Sequence, residues 1–265
     1  MRARAAVFVF HDVVPATRLA AVPVTHRPYA LPCEDFRAFL LAARASVRRP
    51  VPAGHLPEEL GGLFYSFTFD DGHASNYTEA FPALMELDLR ATFFVVPTLV
   101  GTSGHVAWSQ LREMVAAGME IGSHSLTHSF VDRLDAAGLE REFGESKAII
   151  EDRLGVAVRA ASLPRGGRAP AGLEVVLRRL GYRAFCTSRV GWWHPGDAPL
   201  AVPRVAAHPG MPIEDFAAIL NAEPRALWRL QTMQAAKDAV KTCLGRRGWA
   251  ALRTPLLRLR YTRET

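Results

Sequence analysis

Two short segments of the chain carry the side chains best suited to hydrolytic chemistry. Asp70 and Asp71 directly follow the apolar run that ends at Phe69, and His124 and His128 occur in the sequence His-Ser-Leu-Thr-His. Carboxylate oxygens and imidazole nitrogens are the ligands that divalent metal ions take in hydrolases. Three of these four side chains can hold an ion, which leaves one carboxylate to act as a base.

The chemistry of such a site divides the four side chains into two roles. We expect Asp71, His124 and His128 to hold a zinc-like ion with one open position for water, because a bound ion lowers the pKa of that water and polarises a substrate carbonyl. Asp70 can then accept the proton of the water. Each segment alone has a structural alternative, a turn for Asp-Asp-Gly and a helix face for the histidines. Their joint placement after two strands favours the metal site.

The elements that must position these side chains alternate between strands and helices. This alternation predicts an α/β fold built from parallel βα units, either a barrel or a doubly wound sheet, with the polar segments at the carboxyl ends of the strands. Predicted strands are Val7–Phe10, Leu63–Phe69, Ala91–Val96, Met119–Gly122, Ala160–Leu163, Ala184–Thr187 and Leu200–Val205. Predicted helices are Glu34–Ala45, Ser75–Leu87 with a kink at Pro82, Ser109–Ala117, Leu139–Leu154, Leu173–Leu180 and Ile213–Leu220.

Composition limits the class of protein. The chain has 265 residues, of which 49% are hydrophobic and 22% are charged, as in an ordinary globular protein with one large core. Its three cysteines are far apart, which predicts reduced thiols and excludes a cysteine-based zinc site. The apolar run before His11 is too short for a signal peptide, and no stretch is long enough for a transmembrane helix. We therefore expect a cytoplasmic protein, either free or peripheral at the inner face of the membrane.

The two polar segments closely resemble motifs of a known enzyme family. Ser66-Phe-Thr-Phe-Asp-Asp-Gly72 and His124-Ser-Leu-Thr-His128 are similar to the first two motifs of NodB-type polysaccharide deacetylases, carbohydrate esterase family 4, and the run Ala91–Val96 resembles the strand between them. The resemblance covers about residues 7–220. It implies a distorted (β/α) barrel of about seven parallel strands that removes N-acetyl groups from an amino sugar. It also implies Asp70 as the base and Asp71, His124 and His128 as metal ligands.

The later motifs of this family match less well. Ser162-Leu-Pro-Arg-Gly166 stands where the family has Arg-x-Pro-Tyr, whose arginine steadies the base. By this resemblance Pro164 is a substrate-contact candidate and the backbone N–H of Arg165 a candidate oxyanion donor. Arg168 could replace the missing guanidinium. The alternative for residues 164–167 is a simple turn.

The last motif and a pair of tryptophans supply further candidates. Arg204-Val-Ala-Ala-His208 resembles the final family motif, which implies that His208 is the general acid toward the leaving amine, although no carboxylate partner for it is evident. Trp192, beside Trp193, can form a sugar-stacking wall or pack in the core. His11 follows the first strand and could line the same site, but we assign it no role.

The basic charge is concentrated near the end of the sequence. The net charge is +6, whereas residues 225–265 contain ten Lys or Arg against two acidic residues, which is 10 − 2 = +8. We therefore predict a barrel over 1–222 and a basic helical extension over 223–265, with helices at about 225–244 and 249–260. Three explanations stay open for it: a solvated face packed on the barrel, contact with an anionic membrane, and nucleic acid, which no motif supports.

The sequence thus predicts a metal-dependent hydrolase that removes N-acetyl groups from a polysaccharide or a lipid-linked glycan precursor, as in exopolysaccharide biosynthesis. The expected cofactor is Zn²⁺, with Co²⁺ or Ni²⁺ as alternatives because an Asp-His-His site accepts several ions. The partner is an N-acetylated glycan, without nucleic acid, and the oligomeric state is undetermined. Two alternatives remain: an amide hydrolase acting on a small substrate, and a non-catalytic carbohydrate-binding relative.

Overall fold

The computed structural model describes residues 4–58 and 62–261. The strands are β1 Ala6–Phe10, β2 Asp12–Val14, β3 Ala30–Pro32, β4 Arg49–Pro50, β5 Phe64–Phe69, β6 Thr92–Val95, β7 Glu120–Ser123, β8 Ala160–Ser162, β9 Ala184–Cys186 and β10 Val205–Ala206. The helices are α1 Ala16–Leu19, α2 Cys33–Ala45, α3 Phe81–Glu86, α4 Trp108–Ala116, α5 Ala136–Glu140, α6 Ser146–Leu154, α7 Leu173–Arg179, α8 Ile213–Leu220 and α9 Trp228–Tyr261.

Seven parallel strands form one curled sheet in the order β10-β1-β5-β6-β7-β8-β9, and β4 adds to the amino-terminal part of β5. The central strands are buried along their whole length, as β1 and β5 show, because helices cover the outer face and packed side chains fill the interior. The predicted α/β architecture with about seven parallel strands is confirmed. A separate pair, β2 with β3, lies outside this sheet.

Main-chain hydrogen bonds of the segment 202–207 reach both edges of the curled sheet. Val202 donates to the carbonyl of Phe185 on the β9 side, and Ala207 donates to the carbonyl of Val9 in β1. The segment therefore bridges the gap between the first and last strands. As a result, side chains at the carboxyl ends of β1, β5, β7 and β8 and those of residues 202–208 face a common region.

Aromatic side chains fill much of the core between the sheet and α2 and α8. Phe216 of α8 stacks on Phe8 and on Phe39, with ring centroids 4.3 Å apart in each pair. Phe69, the last residue of β5, stacks on Phe10 and Phe93 at 5.1 and 4.5 Å. Burying large rings supplies much of the hydrophobic free energy of folding. This packing fixes the strand ends that carry the polar side chains.

Three predicted elements differ in detail from the structure. The helix predicted over Ser75–Leu87 consists of a π-helical turn, Asn76–Ala80, followed by α3, and Pro82 lies in the first turn of α3 rather than at a kink inside it. The helix predicted over Leu139–Leu154 also contains a π-helical turn, at Arg141–Glu145. The last strand is shorter and later than predicted, because residues 199–201 form a 3₁₀ turn before β10.

The chain after residue 223 is largely helical, as predicted, although the exact boundary at 222/223 stays a prediction. Helix α9 has a non-helical residue at Gly245, whose φ of 62° and ψ of −179° interrupt it. Its start is held on the barrel by Leu227, a fully buried residue that directly precedes α9, and by the side-chain amide of Gln234. None of the helices in the described ranges is long and apolar enough to cross a membrane.

Candidate active site

The carboxyl ends of β5 and β7 bring the two sequence motifs together. Asp70 follows β5 and donates its backbone N–H to the carbonyl of Phe10, and His124 follows β7 and donates to Val95. Asp70 and His124 are both almost fully buried, whereas Asp71 and His128 are partly exposed. Two of the four side chains are therefore buried, and the other two are accessible to a substrate from solvent.

The geometry around Asp71 is that of a metal-ligand set. Its Oδ1 lies 3.3 Å from Nε2 of His124 and 3.1 Å from Nε2 of His128, and the three ligand atoms lie within 4.8 Å of one another. Oδ1 of Asp71 is buried and has no partner in hydrogen-bonding geometry. A carboxylate oxygen and two imidazole nitrogens that converge in this way can take a divalent ion between them. The residues present therefore fit the ion that the sequence predicts.

The loop that carries both histidines is not the helical turn that their spacing allows. Ser125 and His128 have φ values of 65° and 56°, so the segment 124–128 is an irregular loop with two left-handed residues. Asp71 is also left-handed, with φ of 72°. Such conformations cost free energy and persist where the surrounding structure enforces them, which is common in functional sites.

A buried glutamate enforces this loop conformation. Oε2 of Glu142 accepts hydrogen bonds from the backbone N–H groups of Leu126 and Thr127, both at 3.0 Å, and Oε1 accepts from the Thr127 hydroxyl at 2.7 Å. Glu142 belongs to the π-helical turn between α5 and α6, which shifts the helix register locally. The sequence does not single out Glu142, because an acidic residue in a helix is most often exposed.

The structure corrects the expectation that the arginine partner of Asp70 is missing. Arg204 donates from Nη1 to Oδ1 and from Nη2 to Oδ2 of Asp70, both at 2.8 Å, and both residues are buried. Burial alone would raise the pKa of Asp70, but the charges of Arg204 and then His124 outweigh it and hold this pKa below its ordinary value. Arg168, the substitute suggested by the sequence, is exposed and fills no such place.

One serine connects the aspartate base to a metal-ligand histidine. The Ser162 hydroxyl donates to Oδ1 of Asp70 at 3.2 Å, and its oxygen lies 2.5 Å from Nδ1 of His124. Because this hydroxyl proton is directed to the carboxylate, Nδ1 of His124 donates to the serine oxygen. Nε2 of His124 is then left with its lone pair toward Asp71, which is the tautomer that a metal ligand needs.

The imidazoles around Asp71 define its charge state. Burial would raise the pKa of Asp71, but His124, His128 and His73 together hold it well below its ordinary value. His73, whose Nε2 lies 3.5 Å from Oδ2 of Asp71, stacks on His105 with ring centroids 5.8 Å apart. Burial would lower the pKa of His124, but Asp70 and Asp71 raise it above the ordinary value. Asp71 is therefore an anion ready to bind a cation.

Two histidines at the same end of the barrel are candidate proton donors. His11 follows β1, packs against the Tyr29 ring with their planes tilted, and is close enough to Asp71 and Asp70 for their charges to act on its ring. Burial lowers its pKa even though both carboxylates oppose the shift. His208 follows β10, is partly buried, and its Nδ1 lies 2.9 Å from the Pro209 carbonyl, which fixes Nδ1 as the protonated nitrogen. The sequence motif indicates His208 as the acid, whereas no motif assigns a role to His11.

The third motif lies beside the metal-ligand loop. Pro164 is buried, and Arg165 follows it in a left-handed conformation with φ of 59°. The Arg165 side chain donates from Nε to the His128 carbonyl at 2.6 Å, and its guanidinium lies 5.0 Å from the centre of the Phe130 ring. The segment is therefore attached to the site. The oxyanion role of the Arg165 N–H and the substrate contact of Pro164 remain predictions.

Trp192 lies in a different part of the molecule from the expected sugar-stacking wall. Its Nε1 donates to the carbonyl of Ile219 at 3.4 Å, and the Arg4 guanidinium packs on its ring. The adjacent Trp193 is buried and pairs its main chain with Ala5, just before β1 begins. Since Asp70 lies at the opposite, carboxyl end of the strands, the structure corrects the expectation that Trp192 contacts substrate there.

Comparisons with known proteins agree with the fold and with the predicted class of enzyme. Residues 62–185 match the family model described as polysaccharide deacetylase. A putative polysaccharide deacetylase of Bacillus subtilis, YxkH, is 28% identical over 155 residues, which cover 58% of this chain and 55% of that protein. Residues 62–185 are therefore similar to the polysaccharide deacetylase family. The match spans only about half the length of this curated relative.

Solved structures support the same fold. IcaB from Ammonifex degensii superposes with a TM-score of 0.70 at 27% identity, covering 82% of this chain and 97% of that protein. The Streptococcus pyogenes deacetylase PplD, solved in complex with acetate, superposes with a TM-score of 0.74 at 19% identity, covering 83% and 99%. Because PplD is only 19% identical to this chain, the similarity to it shows the fold alone. The seven-stranded curled sheet is thus the barrel of this family.

Proposed function

We propose that the chain is a metal-dependent hydrolase that removes the N-acetyl group from an amino sugar of a glycan. The observation that carries this proposal is the division of two adjacent aspartates between two environments. Asp70 forms a buried ion pair with Arg204, whereas Asp71 faces two histidine Nε2 atoms at 3.1 and 3.3 Å. This difference in environment supports Asp70 as the base and Asp71 as the metal ligand.

The metal supplies the first part of the chemistry. Asp71, His124 and His128 would hold a divalent ion, for which we propose Zn²⁺, and when bound it would polarise the acetamide carbonyl and lower the pKa of water. Asp70 accepts the proton of the attacking water, since Arg204 and Ser162 fix its two oxygens and keep it ionised. We assign the N–H of Arg165 to the developing oxyanion, as the resemblance implies.

The leaving amine needs a proton when the carbon–nitrogen bond breaks. The products are acetate and a free amino sugar, so one water is consumed. His208 is the candidate from the sequence, and His11 is a second candidate because its ring lies in the field of Asp70 and Asp71. The family name and the named function of YxkH support an N-acetylated polysaccharide as the substrate class. Lipid-linked precursors of such a polymer belong to the same class.

Acetate release from N-acetylglucosamine oligomers tests this proposal. The metal-free protein should be inactive, and added Zn²⁺ or Co²⁺ should restore release, with mass spectrometry showing loss of one acetyl group per event. An Asp71→Asn variant, which keeps the shape of the side chain, should bind the metal weakly and stay inactive. Release that is equally fast without any metal would contradict metal dependence. No release with any metal, together with intact glycan binding, would favour a non-catalytic carbohydrate-binding protein.

A further inference from the structure

Helix α9 carries a stripe of exposed apolar side chains that the barrel does not cover. Met233, Val240 and Leu244 are 46, 38 and 47% exposed, and their spacing of seven and four residues places them on one face of the helix. Beyond the interruption at Gly245, Leu252 and Leu256 are 42 and 52% exposed and four residues apart. An apolar stripe of this length in contact with water is costly, which indicates that something covers it.

Basic residues border this stripe. Arg229, Lys237 and Lys241 are exposed on the same part of α9, and Lys237 and Lys241 are four residues apart on adjacent turns. The acid nearest to Lys241 is Asp238, at 3.9 Å in an exposed pair that contributes little. Residues 225–265 carry a net charge of +8, while residues 1–224 carry the remaining −2 of the total +6. The positive field is therefore confined to the part of the chain that contains the apolar stripe.

We propose that α9 docks the protein on an anionic lipid bilayer. An amphipathic helix with apolar side chains on one face and Lys or Arg along its border lies in the headgroup region, where the apolar groups enter the bilayer and the cations meet anionic lipids. Charge complementarity selects this partner over a neutral surface. The broken, partly apolar character of α9 suits a helix that lies on a membrane rather than one that crosses it.

The attachment of α9 gives this docking a consequence for the active site. The Gln234 amide accepts from the N–H of Val190 at 2.8 Å and donates to the Ser188 carbonyl at 2.7 Å, so α9 is held by the loop after β9. The same loop accepts a hydrogen bond at the Thr187 carbonyl from Nε of Arg204, the residue that binds Asp70. Docking would thus bring the catalytic end of the barrel to the bilayer. This consequence rests on the proposed function, and it favours glycans attached to membrane lipids as substrates.

Vesicle sedimentation with the full chain tests the docking. The protein should sediment with vesicles of phosphatidylcholine mixed with phosphatidylglycerol, far less with phosphatidylcholine alone, and less at high salt. Replacing Lys237 and Lys241 together by Glu should weaken the partition coefficient by a factor of about thirty or more. Replacing Met233, Val240 and Leu244 together by Ser should also weaken it, through loss of apolar insertion.

Matched variants on the barrel provide the controls. Arg44 and Arg153 are exposed and can be replaced together by Glu, and Val175, which is 69% exposed, can be replaced by Ser; neither change should alter vesicle binding. Equal binding by all variants, or equal binding to neutral and anionic vesicles, would overturn the proposal. Binding of a DNA fragment without vesicle binding, or self-association abolished by the apolar variant without vesicle binding, would overturn it as well.

Activity on a soluble substrate separates this proposal from the proposed function. Acetate release from short N-acetylglucosamine oligomers should be the same in the charge-reversed α9 variant and in the unmodified protein, because Lys237 and Lys241 are not part of the catalytic machinery. Vesicle binding that depends on α9 in a protein without deacetylase activity would uphold the docking and reject the enzymatic assignment. Activity without vesicle binding would uphold the enzymatic assignment and reject the docking.

Discussion

Arg204 binds both carboxylate oxygens of Asp70, at 2.8 Å each, although 134 positions separate the two residues in the sequence. Asp70 directly follows β5, which pairs with β1 on one side, and Arg204 immediately precedes β10, which pairs with β1 on the other side. Two-point binding of this kind fixes the orientation of a carboxylate as well as its charge. The ion pair with Arg204 therefore fixes the orientation of the Asp70 carboxylate and keeps it ionised.

Replacing Arg204 by Met should impair the base in two ways. The pKa of Asp70 should rise, because burial then acts without its strongest opposing charge, so the acidic limb of the kcat/KM profile should move to higher pH. The free energy of unfolding should fall by about 3–5 kcal/mol at neutral pH, since one member of a buried ion pair is left alone. Arg204→Lys retains the charge, so the shift of the acidic limb and the loss of unfolding free energy should both be smaller. An unchanged acidic limb in the Met variant would contradict this role.

The pH dependence of that stability loss has a defined sign. The folded-state pKa of Asp70 is lowered, so the carboxylate contributes stability above its unfolded pKa and loses it as the pH falls through the folded value. Denaturant unfolding of the unmodified protein and the Met variant should therefore show a difference that shrinks as the pH becomes acidic. A difference that grows toward acidic pH would mean that Arg204 acts on some other group.

Ser162→Ala should weaken both metal binding and turnover. The hydroxyl connects Nδ1 of His124 to Oδ1 of Asp70, and loss of an outer hydrogen bond to a metal-ligand histidine typically costs a factor of about 10 to 100 in affinity or activity. Isothermal calorimetry with Zn²⁺ and the rate of acetate release measure the two effects. Ser162→Thr keeps the hydroxyl, so its zinc affinity and its rate of acetate release should fall less than those of Ser162→Ala.

A second strand serine serves as the control for this variant. Ser66 of β5 is also fully buried, but its hydroxyl has no hydrogen-bond partner. Ser66→Ala therefore removes a buried hydroxyl without breaking a connection and should leave zinc affinity unchanged. Equal losses of zinc affinity in the two alanine variants would show that Ser162 acts only through packing.

The sequence predicted most of the fold and the four central side chains because their signals are local. Apolar runs followed by Asp70 or His124 indicate strands with polar ends, and parallel strands bring such ends to one edge. Arg204 lies within a recognisable motif, but its pairing with Asp70 cannot be read from the sequence because a bidentate contact over 134 residues leaves no periodic signal. A lone arginine inside the apolar stretch Ala201–Ala207 could have indicated a buried, paired charge.

Other features of the site depend on tertiary structure and could not be predicted. The left-handed conformations of the loop 124–128 depend on long-range contacts such as those of Glu142 with its backbone, and Glu142 lies in a π-helical turn. His11 and Trp192 were both plausible site residues from composition. The strand direction separates them, since His11 follows the carboxyl end of β1 whereas Trp192 lies near its start.

His11→Ala and His208→Ala should differ in their effects on turnover. Replacing the residue that protonates the leaving amine should lower kcat by a factor of about 10² to 10⁴. The same replacement should remove the basic limb of the pH profile. The other variant should retain most of its activity. An aryl acetate ester, whose phenolate leaves without a proton, would restore the rate only in the variant that lacks the acid. Equal, small losses in both variants would exclude both histidines as the acid.

Zinc affinity should increase with pH through the range in which histidines titrate. The pKa of His124 is raised in the metal-free protein by Asp70 and Asp71 despite its burial, so a proton competes with the ion up to a higher pH than usual. That proton stabilises the metal-free fold below the ordinary histidine pKa, and this contribution is lost as the pH rises through the raised value. Calorimetry at several pH values should show weaker binding, with release of protons, at acidic pH. Affinity that is independent of pH would argue against His124 as a ligand.

The division of labour between Asp70 and Asp71 is tested most directly by the rate of acetate release from Asp70→Asn at saturating Zn²⁺. The variant keeps Asp71, His124 and His128, so it should still be loaded with zinc, while the side chain at position 70 can no longer accept a proton. We predict a rate lower by a factor of about 10² to 10⁴ than that of the unmodified protein. An undiminished rate in the zinc-loaded variant would contradict the assignment of Asp70 as the base.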